Sequence, residues 1–301
     1  MLEPKNETLR EIADLRRSYI RDRLVFIPGV ELVRLVKGLG ATEADVAGLA
    51  GYADRLEKDP TLSFRQSRQG RFAFDSGDRE IYRAAFKPFV LSTEEAFVRH
   101  DSGVVREFAE LESDYQQNSA FQALLLFKAL MVDGVTVQPR PRLDYGAERS
   151  VCTAFLLRTI TRPDEVGEPA LEGSHSDGVD HTMTTLLGAR NMSSNSAKTF
   201  VIDPGAAAGE RWSELDPKRI LGVHQHLEYL DTLLFADYER KHAVSPVYAI
   251  DTDSIATRDM CIFFTRKPVS ERHVSYQYDG LERHQEAPVQ ITLPATGWFA
   301  T

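Results

Sequence analysis

Cysteine is scarce in this chain: only Cys152 and Cys261 occur, far apart and with no Cys-x-x-Cys pairing. A thiolate zinc site is thereby excluded. Both lie in apolar, strand-like segments and read as buried hydrophobes rather than a disulfide, as in a reducing cytoplasm. Positive charge is also short, with 36 Lys and Arg against 45 Asp and Glu and a net charge of −9. That balance argues against broad nucleic-acid or anionic-membrane binding, leaving room for a local basic pocket. The most apolar run, Phe121 to Val132, is interrupted by Lys128 and is too short to span a bilayer. The opening Met1-Leu2-Glu3-Pro4-Lys5 lacks a signal-peptide pattern, and no repeat or low-complexity tract occurs. Gly38-Leu39-Gly40 lacks the third glycine of a dinucleotide loop. The expectation is a cytoplasmic protein without membrane or nucleic-acid partners.

What is present suits a globular fold, with 42% hydrophobic and 27% charged residues in a chain of 301. We expect one domain, 1–301, mainly helical over 1–135 and β-rich over 136–301. Leu9, Ile12, Leu15 and Tyr19 recur at helical spacing, a second helix follows Ile27-Pro28-Gly29, and Thr42 with Asp45 marks the cap of a third. Ser92 with Glu95 repeats the capping pattern, and Phe121–Val132 reads as a buried helix. Arg65, Arg68 and Arg71, three apart near Phe64, Phe72 and Phe74, read as a solvated charged edge, with a lid over an anionic substrate as the sharper alternative. Strands are expected at Val151–Ile160, Thr182–Leu187, Thr199–Ile202, Leu230–Phe235, Pro246–Ile250, Met260–Thr265 and Val274–Tyr278. So many short strands in succession favour a sandwich or barrel.

The chemistry concentrates in Glu172-Gly173-Ser174-His175-Ser176-Asp177-Gly178-Val179-Asp180. On extended backbone, residues two apart share a side, so His175 and Asp177 can converge on one ion. Imidazole plus carboxylate suits iron(II), and a second histidine would complete a facial triad with open positions. His-x-acidic pairs also occur at His226/Glu228 and His284/Glu286. The former falls in Val223–Leu234, read as partly helical, where residues two apart diverge; the latter has no histidine downstream. Candidates for the distal ligand are His181, His224, His226, His242 and His273. His181 is too near, His224 and His226 share the helical stretch, and His273 lacks a partner strand. His242 follows a strand and the polar turn Asp237–Lys241. Downstream, Arg258 leads into the apolar run Met260–Phe264, where a guanidinium fork suits a dicarboxylate.

Segment Glu172–Asp180, Leu186–Asn191 with Ser196, Leu230–Leu233, Asp237, His242, Ser245-Pro246 and Arg258-Asp259-Met260 follow one another in an order that resembles the bacterial 2-oxoglutarate/iron dioxygenases that include L-isoleucine 4-hydroxylase. The resemblance covers Val151 to Lys267 and, more weakly, Phe74 to Phe108. It implies an α+β fold with a double-stranded β-helix (a cupin-like jelly roll) over 136–301 and the helical region packed on it. It further implies Fe(II) on His175, Asp177 and His242, Arg258 on the far carboxylate of 2-oxoglutarate, and O2 as co-substrate. The implied reaction hydroxylates an unactivated C–H of a free amino acid or close derivative, with 2-oxoglutarate leaving as succinate and CO2. Desaturation, epoxidation or ring formation on the same fold is the alternative, as is a non-catalytic cupin-like metal-binding protein; Asp177 in the carboxylate position disfavours a halogenase. For substrate contacts, Arg158 is expected on a carboxylate, Asp180 on an ammonium and Arg190 along the cavity. Oligomeric state, a homodimer included, stays open. Two positions depart from the family pattern and are expected to reshape the pocket: Ser194-Asn195 where a glycine pair is usual, and Leu171 where a proline is.

Overall fold

The computed structural model describes residues 2–95, 99 and 101–295, without the side chain of Glu95. Its helices are α1 (Asn6–Asp22), α2 (Gly29–Gly38), α3 (Glu43–Gly48), α4 (Ser113–Gln117) and α5 (Ser119–Val132). The strands are β1 (Leu24–Ile27), β2 (Glu57–Lys58), β3 (Arg65–Asp75), β4 (Glu80–Arg83), β5 (Arg149–Thr161), β6 (His181–Arg190), β7 (Thr199–Ile202), β8 (Ile220–His224), β9 (Thr232–Ala236), β10 (Lys241–Val244), β11 (Ala256–Arg266) and β12 (Gln290–Thr292).

Two antiparallel sheets dominate, in an arrangement consistent with a jelly roll. The large one runs β1-β9-β6-β11-β5-β3-β4-β12 with β2 appended to β3, and the small one runs β10-β7-β8. Strand parity decides what each face meets. On β11, Cys261 and Phe263 point into the main core, while Arg258, Met260, Ile262 and Phe264 line a cavity on the other side. On β5, Cys152, Ala154 and Leu156 join that core, and Phe155 and Leu157 face the cavity. The helices cover the core side. Leu9, Ile12 and Tyr19 of α1 are buried there, and α5, capped by the Asn118 side chain accepting the Ala120 and Phe121 N–H groups, is apolar all round and buried. Both cysteines are buried free thiols, and no helix of the described residues is long and apolar enough to cross a membrane.

Several elements differ from expectation. The first third contains β1 to β4 besides its helices. Val223–Leu234 contains no helix: it is the end of β8, a loop and the start of β9. The Asp231 carboxylate closes that loop by accepting the Leu227, Glu228 and Gly29 N–H groups, a tie between distant segments that no local periodicity encodes. Over 246–250 only isolated bridges form, Val247 to Gly167 and Ala249 to Met192, and 274–278 is turn and 3-10 helix. Ser92 caps only a 3-10 turn, Thr93–Glu95, by accepting the Glu94 N–H. Arg65, Arg68 and Arg71 stand on β3 rather than on a solvated edge. Spacing of three on a strand alternates faces, so Arg65 reaches the cavity, Arg71 is buried, and Arg68 turns the other way to the Glu110 carbonyl.

Lys128 of α5 is fully buried with its ammonium donating to the His181 carbonyl at 3.0 Å, and burial lowers its pKa to about 7. In the unfolded chain a lysine titrates near 10.4. Between these values the unfolded chain holds a proton the native one lacks, so stability rises with pH across that window and is lowest below it. Lys128→Met is therefore expected to stabilise the protein most at and below pH 7, with the gain shrinking toward pH 10. Urea unfolding of both proteins across this range checks it; parallel pH profiles would refute the burial argument.

Candidate active site

The segment 172–180 is not a strand. His175 forms an isolated bridge with His242, each backbone N–H donating to the other's carbonyl at 2.9 and 3.0 Å. This pairing sets the two imidazoles side by side, ring centroids 4.2 Å apart. Gly173 (φ +72°) and Gly178 (φ +76°) bracket the segment, and a Cβ on Gly173 would meet the Glu210 carbonyl at 2.6 Å. Asp177 projects between the histidines, with carboxylate oxygens 3.5 Å from His175 Nε2 and 3.7 Å from His242 Nε2. One donor atom from each of the three lies within 4.8 Å of the others. The structure thus brings His175, Asp177 and His242 together.

The surroundings hold this cluster in shape. His175 Nδ1 lies 2.8 Å from the Gly173 carbonyl, which can only accept, so that nitrogen carries the proton and Nε2 is left as a donor atom for a cation. Asp177 accepts from Thr182 Oγ1 at 2.7 Å. Its own N–H donates to Asp237 at 2.9 Å, and Asp237 is paired with Arg140 at 2.7 Å. Burial and the charge of Asp177 push the Asp237 carboxyl upward, against the pull of Arg140. Burial lowers both histidines; for His175 the carboxylates of Glu172 and Asp177 reverse this and raise it to about 9, whereas the charge of His175 drives His242 further down, to about 3. The cluster therefore demands positive charge between its carboxylates and offers neutral imidazole beside it. Two imidazoles and one carboxylate, with His242 Nδ1 buried and lacking a hydrogen-bond partner, fit a divalent transition metal of the iron(II) type.

The triad lines one cavity of about 890 Å³, its mouth included, together with Arg258. Arg258 is buried, and no hydrogen bond or ion pair engages its guanidinium among the described residues; burial alone lowers its pKa to about 10. A buried cation without a protein counter-charge is costly and suits an anionic ligand. Its competitor along β11, Arg266, is instead committed to Asp279 at 2.8 Å. Much of the remaining wall is apolar and aromatic, with Phe89 and Phe108 edge-on to Phe155 at 5.2 and 5.1 Å and Phe264 at 5.7 Å.

The three expected substrate contacts lie elsewhere. Arg158 has the parity of the core face of β5 and pairs with Asp259 at 2.6 Å and Asp54 at 3.0 Å. Arg190 stands exposed at the end of β6, also on Asp54. Asp180 is buried behind the site, accepting from the Tyr145 hydroxyl and the Lys267 N–H. Leu171, Ser194 and Asn195 do not line the cavity. Of the other histidines, His181 is buried against the Tyr19 hydroxyl, His226 is buried against Thr184, His224 stacks on Phe26, His273 contacts Ser275, and His284 lies beside Glu110. The cavity also holds Glu172, Arg99 and Arg106, to which the sequence reading gives no role, and Arg65, which it reads first as a solvated edge. Parity on β3 would have found Arg65; Arg99 and Arg106 lie in irregular backbone, which carries no periodic signal.

Comparison with known proteins agrees with this geometry. The 2OG-Fe dioxygenase family matches residues 50–264. Bifunctional enzyme flvA of Aspergillus flavus is 41% identical over 285 residues, 95% of this chain but 35% of that protein, so the chain spans about a third of this curated relative. The structure of the Fe(II)/(alpha)ketoglutarate-dependent dioxygenase TqaL superposes with a TM-score of 0.82 at 43% identity, covering 95% of this chain and 96% of that one. A bsmA homolog from Methylobium petroleophilum (TM-score 0.67, 18% identity, 85% and 93% covered) shares the fold. The chain belongs to the 2OG-Fe dioxygenase family, whose members use Fe(II), 2-oxoglutarate and O2.

Proposed function

We propose that this oxygenase oxidises an unactivated C–H bond of a small free amino acid, with iron on His175, Asp177 and His242 and the far carboxylate of 2-oxoglutarate on Arg258. The observation that carries the reading is a triad and an unpaired buried arginine opening on one cavity. Iron(II) held there would activate O2, the oxidant for both the C–H bond and 2-oxoglutarate, which leaves as succinate and CO2. The chain's own groups do the rest. Thr182 donates to the Asp177 carboxylate, Asp237 accepts the Asp177 backbone N–H, and the Gly173 carbonyl fixes the His175 tautomer. Arg258 anchors the co-substrate, and the phenylalanine wall excludes water and seats an apolar side chain.

The test offers free L-amino acids and short peptides containing them, with equal iron and 2-oxoglutarate, and follows succinate release and product mass. Substrate-dependent succinate with at least one free amino acid is expected. A gain of one oxygen denotes hydroxylation; loss of two hydrogens denotes desaturation or ring closure. Turnover of peptides alone would sink the free-amino-acid reading and leave the iron assignment intact.

A further inference from the structure

We propose that Glu172 receives the substrate's ammonium group while Arg99 and Arg106 beside it receive the carboxylate, an inference that rests on the amino-acid reading above. Glu172 lines the cavity, and its side chain is only 9% exposed. Its Oε1 lies 3.3 Å from His175 Nε2, which places the carboxylate beside the triad. Its Oε2 is buried with no hydrogen-bond partner among the described residues, and the approaching cation, Arg99 Nη1, stops at 3.8 Å. A buried carboxylate oxygen in an ion pair too long to be a hydrogen bond is an incomplete arrangement, of the kind a bound donor completes.

The other charges have a matching asymmetry. Asp101 holds Arg99 at 2.5 and 2.6 Å and lies 3.9 Å from Arg106; Asp59 holds Arg65 at 2.7 Å. Asp59 and Asp101 do not line the cavity, whereas all three arginines and Glu172 do. Besides Arg258, the cavity thus presents guanidinium groups backed by carboxylates outside it, with Glu172 as an acid of the lining beside Arg99. An α-amino acid answers both signs at once. Its ammonium has three donors for Glu172, and its carboxylate meets Arg99 Nη1, the arm that Asp101 does not hold, together with the Arg106 guanidinium. A 2-hydroxy acid of the same shape would leave the Glu172 charge without a cation. The side chain is then directed along Phe89, Phe108, Phe155 and Phe264, which suits an apolar amino acid.

The experiment uses the full chain, loaded anaerobically with Fe(II) and 2-oxoglutarate. Binding of L-isoleucine, L-valine, L-leucine and L-phenylalanine, of their 2-hydroxy-acid counterparts and of their methyl esters is followed by calorimetry and by the visible iron–2-oxoglutarate charge-transfer band. The unaltered protein should bind at least one amino acid, about tenfold or more tighter than its hydroxy acid and its ester. Glu172→Gln should weaken that amino acid by roughly 10–100-fold and erase the preference over the hydroxy acid. Its iron content and 2-oxoglutarate affinity should stay unchanged, which also shows that the variant is folded. Equal binding of amino and hydroxy acids by the unaltered protein would overturn the proposal, and this arm needs no variant. So would undiminished binding by Glu172→Gln, or loss of its iron, which would make Glu172 a metal donor. If the unaltered protein binds none of the amino acids, the apolar free-amino-acid reading falls first and the receiver with it.

Discussion

Replacing His175, Asp177 or His242 by alanine is expected to abolish succinate formation and substrate oxidation, a loss of more than about 100-fold. Changing an outer partner of a metal site costs roughly 10–100-fold, and these changes remove a donor itself. The donor atoms lie within 4.8 Å of one another, and the backbone pairing of His175 with His242 holds the two imidazoles side by side. Iron content after gel filtration should fall with activity. His284→Ala is the control, because that ring sits beside Glu110 outside the cavity and should leave turnover near its starting value. Full activity in His242→Ala, or loss of iron in His284→Ala, would refute the ligand set.

Arg258→Ala should raise the 2-oxoglutarate requirement by roughly 100-fold, the effect of losing a charge-assisted, two-pronged contact worth about 3 kcal/mol in a buried site. Arg258→Lys should recover only part of this, since an ammonium keeps the charge without the fork. The same change relieves the ligand-free protein of a buried cation with no counter-charge, so its thermal stability should hold or rise. Arg266→Ala should behave in the opposite way. It leaves Asp279 buried without its closest guanidinium, lowering stability while leaving the 2-oxoglutarate requirement nearly unchanged. Titration of succinate formation against 2-oxoglutarate, with thermal melts of the ligand-free proteins, separates the two arginines. A larger 2-oxoglutarate defect in Arg266→Ala would move the anchor.

Much of this was legible in the chain itself, for a physical reason. The His175-x-Asp177 spacing pointed to the pair, although the segment is not a strand and only the isolated bridge of His175 to His242 holds it in place. The Thr199–Ile202 strand and the buried helix expected over Phe121–Val132, which starts at Ser119 in the structure, follow from β-branched residues in one case and a long apolar run in the other. The face Arg258 takes could be read because it precedes the apolar run Met260–Phe264 and shares the parity of Met260, Ile262 and Phe264. The wrong readings share a different cause. Arg158 is one residue out of phase with Phe155 and Leu157, so the face it takes depended on which side of β5 the helices cover. Asp180 resembled a site residue through nearness in sequence, yet the turn after Gly178 carries it behind the site toward Tyr145 and Lys267. Glu172, Arg99 and Arg106 gather from irregular backbone separated by more than sixty residues, and Asp231 ties loops together across the fold. Local spacing pointed to part of the elements, among them Thr199–Ile202 and the buried helix, and to the pair His175 and Asp177. Which distant charges share a cavity, and which are turned behind it onto carboxylates of their own, was decided only by the packing of the helices on one face of the large sheet, because side-chain partners 50 to 200 residues apart leave no trace in a periodic pattern.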